Sequence, residues 1–180
     1  VFCSSLLFYL PKLQRAQRKM SRKKLSSKNR DKQRKKVAIC HEKVANCRKD
    51  FLHKLTKKLV ESQDYDSIAM EDLDVVGMLQ TKKFVAGMLQ SKKLSRHIAD
   101  AAWGEFKTLL TYKCRWYGKN LLTIGRFEPS SKLCPCGTLA SLTLADRVWT
   151  CKNCGETHKR DELAAKNIRR FAFCKQNTNN

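Results

Sequence analysis

The sequence predicts a mixed α/β protein with a basic helical front and a small cysteine module near its end. Residues 12–60 hold 19 of the 38 lysines and arginines but only three acids. Two short apolar runs, within 66–73 and at 121–124, have the length of buried strands. Four cysteines stand in two close pairs between positions 134 and 154. A chain of 180 residues accommodates these parts in one domain with at most a small satellite.

The net charge of +22 predicts a polyanionic partner. Nucleic acid is the commonest such partner, because each phosphate that a lysine or arginine neutralises releases counterions. The alternative is a basic surface that is merely solvated, and the clustering of the charge argues against it. The apolar opening at residues 1–10 is too short to span a bilayer. We therefore expect no membrane partner, and a cytoplasmic protein that associates with the nucleoid when it binds DNA.

Two basic helices are predicted before residue 60. Apolar residues recur at steps of three and four from Val37 to Leu59, and positions 13, 16 and 20 keep the same spacing before them. Residues 26–29 break the pattern and predict a turn, so we expect a helical hairpin with an apolar seam. The scarcity of acids between the like charges favours an anionic partner over a solvated helix face. The candidate nucleic-acid contacts are Arg15, Arg18, Lys19, Arg22, Lys23, Lys24, Lys28 and Arg30.

Two acids are candidates for a catalytic cation site. Glu71 comes at the end of an apolar run, and Asp161 follows the second cysteine pair and precedes a predicted helix at 164–171. Mg²⁺ prefers oxygen ligands, and phosphodiester cleavage commonly uses ions held by several carboxylates. On spacing alone the alternative is favoured, in which Glu71 is a surface acid at a strand end and Asp161 a helix cap.

The cysteine module has the composition of a tetrahedral Zn²⁺ site. Cys151 and Cys154 have the C-x-x-C spacing of a knuckle, and a glycine after each pair permits the turn. Cys134 and Cys136 are one residue closer, which predicts either a zinc site of altered affinity or a degraded one. His158 is near enough in sequence to substitute as a ligand. Residues 142, 144 and 148–149 are predicted as ribbon strands between the pairs.

The segment between the two predicted strands contains a repeat and a helix. Residues 75–84 are nearly copied by residues 85–94, which indicates one tandem duplication. A single extra copy does not make a solenoid, so we interpret it as an insertion into a surface linker. Apolar residues at helical spacing then predict a helix over 98–117.

Several motifs in a fixed order resemble the C-terminal half of the TnpB/OrfB family of insertion-sequence proteins. Members of that family are RNA-guided DNA endonucleases, often described as transposases. The motifs are IAMEDL at 68–73, WGEF at 103–106, SSK at 130–132, the four cysteines, HKRD at 158–161 and AAKNI at 164–168. The resemblance covers roughly residues 12–172, and the ordered set is highly specific.

The resemblance implies an α/β fold that is part of a ribonuclease-H-like, RuvC-type domain with an inserted zinc ribbon. It implies basic helices and a partial core over 12–127, the ribbon over 128–157, and a final catalytic motif and helix over 158–172. Glu71 and Asp161 match two of three acids that bind catalytic Mg²⁺. Cys134, Cys136, Cys151 and Cys154 match the ligands of a structural Zn²⁺. DNA and a guide RNA are the implied partners.

The chain also departs from the family pattern. The family's first acid lies on an opening strand, whereas residues 1–11 contain no Asp or Glu. Lys159 stands where an Asp is usual and Leu163 where an Asn is usual. Two acids leave a metal cluster under-neutralised, so we expect no cleavage by this chain alone.

The expected function is that of a transposase-associated, nucleic-acid-binding protein of endonuclease lineage. One alternative is a non-catalytic DNA- or RNA-binding zinc-ribbon fragment of a decayed transposon. The other is a zinc-ribbon adaptor that binds protein, which the basic charge disfavours.

Overall fold

A computed structural model describes residues 4–74, 102–143 and 145–178. The chain divides into two compact units, Val1–Ser62 and Gln63–Asn180. The repeat at 75–94 and the start of the helix predicted over 98–117 lie outside the described residues. No helix within the described ranges is long and apolar enough to cross a membrane. Helices and strands both occur, in agreement with the predicted mixed α/β class.

The first unit is the predicted hairpin of two basic helices. Helix α1 spans Ser4–Ser21 and helix α2 spans Lys28–Glu61. The apolar positions at steps of three and four face each other across the hairpin, where they form a core. Its buried members are Leu6, Leu13, Val37 and Val44. The basic side chains are left on the opposite faces, so the charge of this unit is displayed to solvent.

The turn between the two helices is held by side-chain hydrogen bonds. Ser27 caps α2, because its hydroxyl accepts a bond of 3.2 Å from the backbone N–H of Arg30. The Arg30 guanidinium donates in turn to the carbonyls of Met20 at 3.0 Å and Lys23 at 3.2 Å. Arg30 therefore closes the hairpin, whereas the other seven candidate contact residues expose their side chains.

The second unit is built on a parallel pair of strands. Strand β1 (Ser67–Glu71) and strand β2 (Asn120–Ile124) pair in parallel, with Ser67 opposite Asn120 and Glu71 opposite Ile124. Helix α3 (Trp103–Trp116) precedes β2 and packs against it, and its Leu109 and Leu110 are buried. A parallel pair requires such a crossover. The carboxyl ends of the two strands lie at the same edge of the strand pair, and Glu71 is at that edge.

A small antiparallel hairpin and a long helix complete this unit. Strand β3 (Val148–Thr150) pairs with strand β4 (Thr157–Lys159). Helix α4 (Arg160–Thr178) follows β4 directly and packs against β1, β2 and β4. The prediction of ribbon strands at 142 and 144 is wrong at position 142. Leu142 is outside any strand and packs against the cysteine module instead, and position 144 is not described.

Candidate metal centre and neighbouring acids

Two glycine turns bring the four cysteines to one place. In the first turn, the Gly137 N–H donates to the carbonyl of Cys134 at 2.9 Å. In the second, the Gly155 N–H donates to the carbonyl of Cys151 at 2.9 Å. The two glycines have φ angles of +90° and +74°, a conformation that a side chain disfavours. The predicted role of a glycine after each pair is thus confirmed.

The four sulfurs have the spacing that a single tetrahedral ion requires. Sγ of Cys134 lies 3.6 Å from Sγ of Cys154, and Sγ of Cys136 lies 3.6 Å from Sγ of Cys151. All four sulfurs lie within 4.8 Å of one another. Bonds of about 2.3 Å to a tetrahedral zinc would separate the sulfurs by roughly 3.8 Å. The shortened first pair therefore does not prevent convergence, and the four cysteines can hold a metal ion.

The thiols differ in their tendency to ionise. Hydrogen bonding with the hydroxyl and then the backbone of Thr138 lowers the pKa of Cys136 to about 5. Burial raises the pKa of Cys134 to about 12. Like charges so close together repel, so the four sulfurs cannot all be thiolates unless a cation lies among them. A divalent ion that prefers sulfur removes this conflict.

His158 lies beside the four sulfurs rather than among them. Its ring is buried against Trp149, with ring centroids 5.1 Å apart. Its Nε2 lies 3.3 Å from Sγ of Cys134 and 3.8 Å from a carboxylate oxygen of Glu156, and these three residues form a second group of ligand type that shares Cys134 with the first. Since the four sulfurs make a complete tetrahedral set, the substitution of His158 as a ligand is not required.

Leu163 on α4 anchors the module, a role that sequence reasoning missed. Its side chain is buried together with Cys134, Trp149 and Cys151. The sequence offered only the helical spacing of α4 as a signal. Leu163 stands where an Asn is usual in the family pattern, and the leucine adds apolar contact to a module that has few such contacts.

Glu71 is held at the end of β1 by a chain of hydrogen bonds. The Ser130 hydroxyl donates to Oε1 of Glu71. Nδ2 of Asn167, on α4, donates to the carbonyls of Ser130 at 2.8 Å and Leu133 at 2.7 Å. Ser130 and Asn167 are both buried, and Leu133 directly precedes Cys134. One asparagine thus connects α4, the first cysteine turn and the segment that binds Glu71.

Asp161 occupies the first turn of α4 and is 77% exposed. Its carboxylate pairs with Arg147 at 3.6 Å and with Arg160 at 3.5 Å. The contacts described for Glu71 and Asp161 involve different partners. That the two acids share one cation therefore stays a prediction.

An ion-pair cluster that the sequence did not predict lies beside Glu71. Asp72 pairs with Lys107 at 2.8 Å and with Arg126 at 3.6 Å, and Arg126 also pairs with Asp74 at 3.3 Å. The hydrogen bond from Lys107 lowers the pKa of Asp72. The cluster fixes the segments that follow β1 and β2 at the edge where both strands end.

Comparison with known proteins divides the chain into two matched regions. Residues 5–82 match the family described as "Probable transposase", OrfB_IS605. Residues 103–168 match the family described as "Cas12f1-like, TNB domain". The two regions correspond to the basic hairpin with the first strand and to the part that carries the cysteines. The first of these regions is therefore similar to proteins of the transposase type.

The relatives agree with this class. A Streptomyces pristinaespiralis protein named "Putative RNA-guided DNA endonuclease" is 46% identical over 159 residues, which are 87% of this chain and 36% of that protein. InsQ of Escherichia coli K12, which has the same description, is 34% identical over 166 residues, 87% of this chain and 40% of that protein. The chain belongs to the TnpB/OrfB family. It spans about two fifths or less of these relatives.

A solved structure has a similar fold. The chain matches a protein in the cryo-EM structure of a Cas12f1–sgRNA–target DNA complex with a TM-score of 0.62. The match covers 93% of this chain and 42% of the other, at 16% sequence identity. At this level of identity the likeness concerns the fold alone.

Proposed function

We propose that this chain is the acid- and zinc-bearing part of an RNA-guided DNA endonuclease, with DNA and a guide RNA as its partners. The observation that carries the proposal is the position of α4. This helix carries Asp161 in its first turn, buries Leu163 in the cysteine module, and uses Asn167 to fix the segment that binds Glu71. One element thus links both acids to the candidate metal centre. The names of the relatives favour the same activity, and we propose the cytoplasm as its place of action.

The proposed architecture is a partial RuvC-type, ribonuclease-H-like fold. Its basic helices and core would occupy 12–127, a zinc ribbon 128–157, and the final catalytic motif and helix 158–172. The parallel β1–β2 pair flanked by α3 and α4 supports the core assignment. The sulfur set of Cys134, Cys136, Cys151 and Cys154 favours zinc over harder cations.

The proposed catalytic centre uses Glu71 and Asp161 to hold Mg²⁺, which would supply the charge that activates water and stabilises the leaving oxygen. The test is Mn²⁺ binding, followed by electron paramagnetic resonance. Glu71→Gln and Asp161→Asn should each weaken binding by about tenfold, or 1.4 kcal/mol. The double variant should lose this Mn²⁺ site altogether, because each acid supplies ligand oxygens to the same ion.

The matched control is Asp50→Asn, which removes the same charge from an exposed position on α2 and should leave Mn²⁺ affinity unchanged. Two Mn²⁺ sites, each weakened by only one of the two substitutions, would assign the two acids to different ions. That result would reject the shared centre.

The proposed nucleic-acid surface is the basic hairpin. The proposed contact residues are the exposed Arg15, Arg18, Lys19, Arg22, Lys23, Lys24 and Lys28, together with Arg30, whose guanidinium also closes the hairpin. If about five of them meet phosphates of a single strand, the logarithm of affinity should fall against the logarithm of salt with a slope of about −3.5. Replacing Arg22, Lys23 and Lys24 by Gln should reduce that slope by about 2, as fluorescence anisotropy would measure.

Lys152→Gln removes an exposed charge elsewhere and serves as the control. A salt slope that is flat, or that is unchanged in the triple variant, would exclude the hairpin as the contact surface.

A second candidate function is binding without cleavage. It is favoured by the two arginines that pair with Asp161, because cations at that carboxylate compete with a metal ion. On this hypothesis the zinc module is purely structural. The Mn²⁺ measurement separates the two functions, since a non-catalytic chain would show no site that depends on both acids.

A further inference from the structure

One large aromatic ring at the edge of the β1–β2 sheet is exposed to solvent. Phe127 is 94% exposed, the highest value among the large apolar side chains of the described residues. Its neighbours in sequence are the charged residues Arg126 and Glu128. An isolated ring of this kind is too small for a stable protein interface, which needs a contiguous patch on each partner. It is sufficient for one planar ligand.

The turn that carries Phe127 is fixed on both sides. Arg126 is held by its ion pairs with Asp72 and Asp74. The N–H of Glu128 donates to the carbonyl of Gly125 at 3.3 Å, and the N–H of Ser130 donates to the carbonyl of Glu128 at 2.8 Å. The ring is therefore presented by a braced turn, so little conformational freedom would be lost when a ligand stacks on it.

The position of the ring relates it to the acid edge. Strand β2 ends at Ile124, which is opposite Glu71 in the register, and Phe127 follows three residues later. Ser130, at the end of the same segment, binds the Glu71 carboxylate. The ring and the acid thus belong to one short, connected stretch of structure.

We propose that Phe127 is a stacking platform for an unpaired base of single-stranded DNA at the Glu71 edge. The inference rests on the proposed function and names how that site would grip its substrate. Every base has a π face, so an aromatic ring stabilises a single strand without reading its sequence. Because Arg126 is engaged by two carboxylates, the contribution of this turn is stacking rather than phosphate contact.

The test compares two oligonucleotides of equal length and charge, oligothymidine and an oligomer of abasic sites. Phe127→Leu keeps an apolar side chain but removes the π face. It should lower affinity for oligothymidine by about tenfold and leave affinity for the abasic strand unchanged. The salt slope should not change, because no phosphate contact is lost. Phe127→Trp should retain affinity, and its added fluorescence should be quenched by oligothymidine but not by the abasic strand.

The matched control is Trp116→Leu. Trp116 is 74% exposed and lies at the end of α3, before the start of β2. Its replacement should leave both affinities unchanged. The inference is overturned if Phe127→Leu binds both oligonucleotides as the unsubstituted chain does. If the unsubstituted chain binds neither strand, the proposed function fails, and this inference fails with it.

Discussion

Replacing Cys151 by Ser should abolish tight zinc binding and unfold the cysteine module. Cys151 is buried between Cys134, Trp149 and Leu163, and this small cluster is the module's apolar core. Structural zinc contributes roughly 10–16 kcal/mol of apparent binding free energy in small zinc-finger peptides, which is more than so few apolar contacts can replace. We expect zinc to fall from about one ion per chain to near zero. Metal analysis and the fluorescence of Trp149 would measure the two effects.

The control is Cys174→Ser, at an exposed position on α4 that does not belong to the four-sulfur group. It should retain the full zinc content. Treatment of the unsubstituted chain with a chelator should reproduce the effect of Cys151→Ser. If the variant keeps stoichiometric zinc, the four-sulfur centre is not the site that holds the ion.

Replacing Asn167 by Ala should destabilise the second unit. The substitution leaves the carbonyls of Ser130 and Leu133 without the donor that now binds them. Each buried polar group that loses its partner costs about 1–3 kcal/mol, so the loss at both carbonyls should lower the free energy of unfolding by roughly 2–6 kcal/mol. Urea unfolding followed by tryptophan fluorescence measures this unit selectively, because all three tryptophans (103, 116 and 149) lie beyond residue 62.

Two further variants define the cause. Lys166→Ala changes the preceding, exposed residue of α4 and should leave the unfolding midpoint unchanged. Asn167→Asp keeps the shape of the side chain but replaces the donor by a carboxylate, so it should be at least as destabilising as Asn167→Ala. An Asn167→Ala variant that unfolds at the midpoint of the unsubstituted chain would show that these bonds contribute nothing.

Local patterns predicted the main helices and strands because those elements bury one regular face. The apolar spacing that runs from Val37 along α2 is an example, and the apolar run before Glu71 forms β1 as expected. The start of α1 was not predicted, because Pro11 normally ends a helix at a cost of about 3 kcal/mol. The structure continues the helix through Pro11, since Leu6 on its far side is buried in the hairpin core. Tertiary burial outweighs the local preference there.

The sequence predicted those parts of the candidate site whose chemistry depends on residue type and spacing. Cysteine pairs have a recognisable pattern, and the convergence of the four sulfurs follows from it. The bonds that Asn167 makes to residues more than thirty positions away leave no local pattern at all. Strand β4 was missed for a similar reason. Its three residues show no apolar alternation. They form a strand through their pairing with β3, in which His158 lies opposite Trp149.

The absence of any spacer between β4 and α4 limits how this family's modules can be exchanged. The hairpin strand ends at Lys159 and the helix begins at Arg160, while the side chain that fills the interior behind the sulfurs comes from the helix, at Leu163. A cysteine segment that is grafted into a related protein would therefore leave a cavity behind the sulfurs unless the first turns of the helix were transferred with it. The natural boundary for a chimera lies after Asn167.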